Sequence, residues 1–155
     1  MDGTRRDIAL LVLRVSGLYL ALGHGFGKVA QLSSGEGRFL GGVRDLGFPM
    51  PEAFAWAAAA AELFGGLMVA SGILTRIAAA FGAITMAVAV FLRHRAYLQL
   101  LVPIGFASAT REQVESWGSP EMALLYLLIL TAIVLLGPGR FSLDHMFWER
   151  HARSG

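Results

Sequence analysis

The sequence predicts an all-α membrane protein: a four-transmembrane-helix antiparallel bundle with a short interfacial helix between helices 1 and 2. Three observations carry the prediction. Of the 155 residues, 55% are hydrophobic and 15% charged, whereas soluble domains average about 25% charged. Four stretches, residues 7–32, 52–71, 75–97 and 121–136, are apolar over lengths near the ~20 residues that cross a ~30 Å hydrocarbon core. The five prolines, at 49, 51, 103, 120 and 138, all stand outside these stretches, where helices stop and start. The chain reads as one domain over residues 1–155.

The first span, 7–32, resembles a cleavable leader only in position. A leader needs a short apolar core and a small-residue cleavage site, whereas this pattern is long and interrupted by Arg14, so it is expected to stay as a helix. Between Glu36 and Leu46, Phe39, Leu40, Val43 and Leu46 share one helical face, and Arg38, Arg44 and Asp45 fall away from it. That is the pattern of a helix lying in a membrane interface. Pro49-Met50-Pro51 before Glu52 and Ala53 marks the second start, since proline suits a first helical turn. Gly72 closes the second span and Thr75 is the expected N-cap of the third, making a tight antiparallel hairpin. Residues 98–106 are apolar but broken by Pro103 and Gly105, too short to cross and suited to dip into the interface. Thr110 to Gln113 has capping-box spacing. Ser119-Pro120-Glu121 predicts an N-cap, a first-turn proline and an acidic first turn for the fourth span, which Gly137-Pro138-Gly139 stops.

Composition also excludes functions. The pI near 9.5 rests on a net charge of only +2, which is no basic coat for nucleic acid. With no cysteine, the chain holds no disulfide, thiolate nucleophile, zinc–thiolate site or iron–sulfur cluster of its own. Gly23-His24-Gly25-Phe26-Gly27-Lys28 is not a phosphate loop, which needs a glycine at Leu22 and Ser or Thr at Val29. Metal-protease, nucleophile-elbow and EF-hand patterns are missing from the sequence, and no catalytic or metal-ligating residue is assigned.

The candidate site residues are the ionisable groups that fall inside spans, where a charge is costly and needs a partner. Counting 1.5 Å per residue along each span brings Arg14 and Glu62 within about 4 Å of one level, which predicts a direct or water-bridged contact. Such a pair reads either as a structural lock between helices 1 and 2 or as a proton- or ligand-handling site. Arg14, Gly17, Ala21, His24, Gly25 and Lys28 fall within about a third of the first helix's circumference, and Glu62 shares its face with Ala55, Ala58, Ala59, Gly65 and Gly66. Small residues there suit close helix packing or a small cavity, with Trp56, Phe64 and Leu67 pointing to lipid. The same counting sets His24 and His94 at one level near the far interface. His24, Lys28 and His94 are candidates for a quinone or other polar ligand, beside a reading as ordinary interfacial side chains; a bis-histidine haem is disfavoured.

Several strings resemble the DoxX family of small membrane proteins. They are His24-Gly25-Phe26-Gly27-Lys28 after a helix containing Arg14, Leu46-Gly47-Phe48-Pro49, Glu62-Leu63-Phe64-Gly65-Gly66, Gly72-Ile73-Leu74-Thr75-Arg76, His94 at the end of a helix, and Gly137-Pro138-Gly139-Arg140-Phe141-Ser142-Leu143-Asp144. The resemblance spans about residues 8–145. It implies a four-helix protein of a bacterial or archaeal cytoplasmic (inner) membrane, multi-pass, related to a subunit of a thiosulfate:quinone oxidoreductase. It also implies association with an oxidoreductase, sulfurtransferase or superoxide dismutase partner. Thr75, Arg76, Arg140 and Asp144 are the further polar positions it matches, with Arg76 expected to cap the second helix or reach lipid phosphates, and Asp144 to pair with Arg76 or Arg140. The positive-inside count is tied, with Arg5, Arg6, Arg76, Arg140, Arg150 and Arg153 on one side against Lys28, Arg38, Arg44, Arg93, Arg95 and Arg111 on the other. The family's habit places the termini inside.

Three functions are weighed. One is a redox-associated, quinone-linked subunit or accessory of an oxidoreductase or oxidative-stress complex, more a non-catalytic subunit than an enzyme alone. Another is a structural membrane anchor or assembly protein with no ligand of its own. The last is a small proton-coupled transporter, working as a homo-oligomer and centred on Glu62. All three have the lipid bilayer as a partner and none involves nucleic acid.

Overall fold

The computed structural model describes residues 3–35 and 37–147, so Arg150 and Arg153 of the charge count lie outside the described residues. Most of those residues are helical, and there is no strand among them. The first helix, α1 (Gly3–Ser34), runs without interruption and contains a π-helical stretch at Leu20–Gly25. Next come α2 (Arg38–Arg44), α3 (Pro51–Ser71) and α4 (Thr75–Arg93), the last ending in a π-helical stretch at Ala89–Arg93. Short helices α5 (Ala96–Leu101) and α6 (Arg111–Trp117) precede α7 (Glu121–Leu136).

Three of these helices, α1, α3 and α4, are long and apolar enough to cross a membrane. The fourth predicted span differs: α7 has 16 residues, and it reaches crossing length only together with α6, from which it bends by 44°. The expected boundaries shift elsewhere too. α1 begins four residues before 7, and α4 ends at Arg93 because Arg95 takes a left-handed φ of 47° and opens α5.

Helix ends follow the sequence in most places. Pro51 occupies the first turn of α3, and Gly72 caps its end with a φ of 79°, a conformation glycine reaches without steric penalty. The capping box on α6 is complete: Thr110 Oγ1 accepts from Gln113 N and Gln113 Oε1 accepts from Thr110 N. Two caps differ. α7 starts after Pro120, with Ser119 Oγ accepting from Glu121 N. Thr75 is the first residue of α4 rather than its cap, because Leu74 turns the chain with a φ of 44° and the carboxylate that satisfies the helix start comes from elsewhere in the chain.

Helix packing is set by small residues. α1 and α3 run antiparallel with backbones in contact: a Cβ at Gly17 would lie 2.6 Å from Gly66 O, and one at Gly66 would lie 3.0 Å from Ala21 Cβ. At Gly25 a Cβ would collide with the backbone of Glu62 and Leu63. Between helices in lipid, association depends on close van der Waals packing rather than on burial of apolar area. Gly25→Ala is therefore expected to part these helices and cost about 1–3 kcal/mol, the usual range for overpacking. A thermal midpoint in detergent equal to that of the unaltered chain would count against the contact. α4 packs on α7, with Leu130 against Gly82, around a core of Leu20, Val69, Ala79, Met86, Val90, Tyr126 and Ile133. Trp56, Phe64 and Leu67 are exposed on the outer face, as their positions predicted.

Along α2 and the turn after it, Phe39, Leu40, Val43 and Leu46 are partly or fully buried and Arg38, Arg44 and Asp45 are exposed, the expected division. After α5 the chain turns rather than crosses, and Leu100, Ile104 and Phe106 are exposed there.

Candidate functional site

Two polar centres form along α3, one at its C-terminal end and one beside residues 54–62. The first surrounds Arg14. Its guanidinium is almost fully buried and donates four hydrogen bonds to backbone carbonyls: Nε to Val69 O (3.0 Å), Nη2 to Ala70 O (3.0 Å), and Nη1 to Pro138 O (3.0 Å) and Phe141 O (2.8 Å). Val69 and Ala70 are among the last carbonyls of α3, which have no partner within the helix. Arg14 thus caps α3 and ties the 137–141 turn to it.

This overturns the expected Arg14–Glu62 contact. Arg14 stands beside Gly72, where a Cβ would lie 2.7 Å from its Nη2, and Glu62 lies ten residues earlier (72 − 62), about 15 Å along the helix. The depth counting aligned residue 7 with Ser71, but α1 extends eleven residues beyond Arg14, past the end of α3 (14 − 3). That extension is used: Asp7 Oδ1 accepts from Arg140 N (3.1 Å), and Arg6 donates to Leu136 O (2.9 Å) at the end of α7.

Asp144 completes this centre. Its Oδ1 accepts from Leu74 N (2.7 Å), and its Oδ2 accepts from Thr75 N (2.9 Å) and Thr75 Oγ1 (2.7 Å). Its own N–H donates to Gly72 O (2.7 Å). A carboxylate at the start of α4 meets both the orphan amides and the positive end of the helix dipole. The hydrogen bonds of Asp144 therefore correct the expected pairing with Arg76 or Arg140. Arg76 reaches Leu135 O (3.5 Å), at the end of α7 rather than of the second spanning helix, and Arg140 contributes its backbone amide.

The second centre is a cavity of about 660 Å³ between α3 and α4, roofed by α2 and the end of α1. Phe39, Val43, Leu46, Phe48, Phe54, Phe81, Ile84 and Val88 give it apolar walls, and Ala57, Ala58 and Ala61 leave the space. The cavity is open rather than enclosed, and Phe54, Phe81 and Ile84 on its walls are exposed, so its apolar lining is continuous with the surface. Polar groups converge on it from Lys28, Gln31, Arg38, Glu62, Thr85, Arg93 and His94.

Within it Glu62 is 1% exposed. Its Oε1 is bonded by Lys28 Nζ, which also lies 4.8 Å from the Phe39 ring centroid. The ion pair that secures Glu62 is thus with Lys28, not with Arg14. Among the described residues, one buried side-chain polar atom has no hydrogen-bond partner, and it is Glu62 Oε2. Such an atom costs stability unless something donates to it.

The two histidines do not share a site. His94 Nδ1 lies 2.6 Å from Trp117 O, before α7 begins, and since a carbonyl only accepts, Nδ1 carries the proton. His24 stands edge-on between Tyr19 and Tyr126, the latter five residues inside α7 (126 − 121), and is not among the cavity-lining residues. Lys28 and His94 line the cavity, with Glu62 between the expected groupings. Sequence reading missed Asp7, Phe39 and Arg93. Asp7 carried one signal, an acid at the edge of an apolar span; Phe39 was read only as an interfacial side chain, and Arg93 only as a flanking charge.

Comparison with known proteins now adds to this geometry. The family model described as DoxX matches residues 9–95, more than half of the chain. The chain belongs to the DoxX family. A search of curated proteins found no match, and neither did a search of solved structures. The matched part of this DoxX protein includes Arg14, the Lys28–Glu62 pair, Thr75, Arg76 and His94, and so the whole of the cavity wall. The 137–144 string, which Arg14 and Asp7 hold, lies beyond the matched part. The protein is a multi-pass membrane protein in contact with the lipid bilayer.

Proposed function

We propose that this DoxX-family protein is a quinone-linked, redox-associated subunit or accessory of a membrane oxidoreductase or oxidative-stress complex, and that its cavity holds the quinone head. The fold reading that goes with it is a single antiparallel bundle of four spans over residues 1–155, the fourth built from α6 and α7, in a bacterial or archaeal cytoplasmic membrane.

One observation carries the reading: an apolar cavity continuous with the outer face ends on a buried carboxylate with a free oxygen. Its volume suits a small organic ligand, since such pockets run from about 300 to 1,000 Å³. The walls suit a lipid-soluble ring and tail, and Lys28, Glu62 and His94 suit a head that exchanges hydrogen bonds. A bound quinone would supply reversible two-electron, two-proton chemistry, which the chain lacks. The Arg14 and Asp144 centre supports a separate role for those positions, the holding of the fold, because their polar atoms are used on backbone groups.

Saturable binding of a decyl-chain benzoquinone to the purified protein in detergent is the test. Ala61→Phe, which places a ring in the cavity, should weaken that binding about tenfold or more, because filled space cannot be shared at interior packing densities. Its thermal midpoint should stay near that of the unaltered chain. A protein that folds, melts normally and binds no quinone would leave the membrane-anchor reading in its place.

A further inference from the structure

Resting on the quinone-linked reading of the cavity, we infer that Glu62 makes this site selective for the hydroxyl-bearing, reduced form of the ligand, a hydroquinone, over the quinone. The argument is an inventory of donors and acceptors. Glu62 Oε1 is taken by Lys28, and Oε2, the buried second oxygen of this cavity-lining residue, receives no hydrogen bond. An ionised carboxylate oxygen only accepts. Whatever group reaches it must therefore donate.

A quinone carbonyl has lone pairs and no proton. Set against Oε2 it would bring two acceptors together in a site of low dielectric, where such contacts are strongly unfavourable. A hydroquinone O–H donates to Oε2, and the same oxygen can accept from Lys28, whose ammonium has three donors and gives one to Glu62. His94 has the same preference. With Nδ1 donating to Trp117 O, the proton of an uncharged imidazole is already placed, which leaves Nε2 to accept. Phe39, against which the Lys28 ammonium rests, restrains that donor beside Glu62.

The test compares three ligands by equilibrium dialysis against the 155-residue chain in detergent under argon: decyl-benzoquinone, its hydroquinone, and the dimethyl ether of that hydroquinone. The hydroquinone is expected to bind tighter than the quinone by about tenfold or more, the size of one hydrogen bond to a charged acceptor. The dimethyl ether, which keeps ring and tail but has no O–H, should bind no better than the quinone. Glu62→Gln can turn an amide N–H toward a carbonyl, so it should narrow or reverse the ratio of the two affinities. If that variant does not fold, the three-ligand comparison on the unaltered chain decides alone. Equal affinities, or tighter quinone binding, would overturn the selectivity while leaving the cavity as a quinone site. No saturable binding by any of the three would overturn both.

Discussion

Arg14→Met is expected to lower the stability of the folded chain by about 3–5 kcal/mol, from the loss of several hydrogen bonds to a charged donor at about 1.5–3 kcal/mol each that do not add in full. Methionine keeps an unbranched stem but leaves the carbonyls of Val69, Ala70, Pro138 and Phe141 without their donor. Lysine should recover less than half of the loss, because one ammonium cannot span four carbonyls that a planar fork reaches from three nitrogens. Thermal midpoints in detergent for Arg, Lys and Met at this position check the order. Quinone binding by the surviving folded fraction should change little, since the guanidinium lies about 15 Å along α3 from Glu62. A Met variant as stable as the parent would mean that water satisfies those carbonyls equally well.

Asp144→Ala should cost about 2–4 kcal/mol, since its carboxylate accepts three hydrogen bonds and each such charge-assisted bond is worth about 1.5–3 kcal/mol before coupling. The Leu74 turn depends on it. Leucine at a φ of 44° is strained, and the two amides that hold it there, Leu74 N and Thr75 N, both donate to Asp144. Asn at this position should be almost as harmful as Ala. Its single acceptor oxygen serves one side of the turn, and its NH2 then faces an N–H donor on the other. Faster hydrogen exchange at Leu74 and Thr75 would accompany the drop in thermal midpoint. Combined with Arg14→Met, the loss should fall short of the sum, because Arg14 and Asp144 hold the same 137–144 segment from two sides. Strict additivity would contradict that shared function.

Much of this architecture can be read from the residues. The spacing of Gly17, Ala21 and Gly25 predicts the close approach to α3, because small side chains at intervals of four share a helix face. The Thr110 capping box and the Gly72 stop are local chemistry, settled within four residues, and both form as read. The cavity was half visible, in the alanines around Glu62 and in Lys28. Its roof was harder to see, because Phe39 belongs to a helix whose position depends on packing rather than on its own pattern. The ion-pair partner of Glu62 was misread for a definite reason. Counting residues inward from assumed span ends gives depth only if helices end in one plane, and α1 overshoots α3 by eleven residues. Asp144 shows the same limit. It caps a helix that begins 69 residues away (144 − 75), and nothing local to either segment states the connection.

The π-helical stretch at Leu20–Gly25 has a consequence for how α1 keeps its aim. Along an ordinary α-helix, each step of four residues overshoots a full turn by about 40°, so a row such as Gly17, Ala21, Gly25 winds away from a straight neighbour. In a wider i→i+5 turn, a step of four falls short of a full turn instead. The step from Gly17 to Ala21 lies mostly in α geometry and the step from Ala21 to Gly25 lies in π geometry, so the two errors have opposite signs. The row is thereby kept in line with Gly66 and Leu63, and Lys28 leaves the contact already turned toward Glu62. One widened turn works here as a phase correction, letting a single helix press its backbone against α3 and still deliver a cation to the carboxylate midway along it.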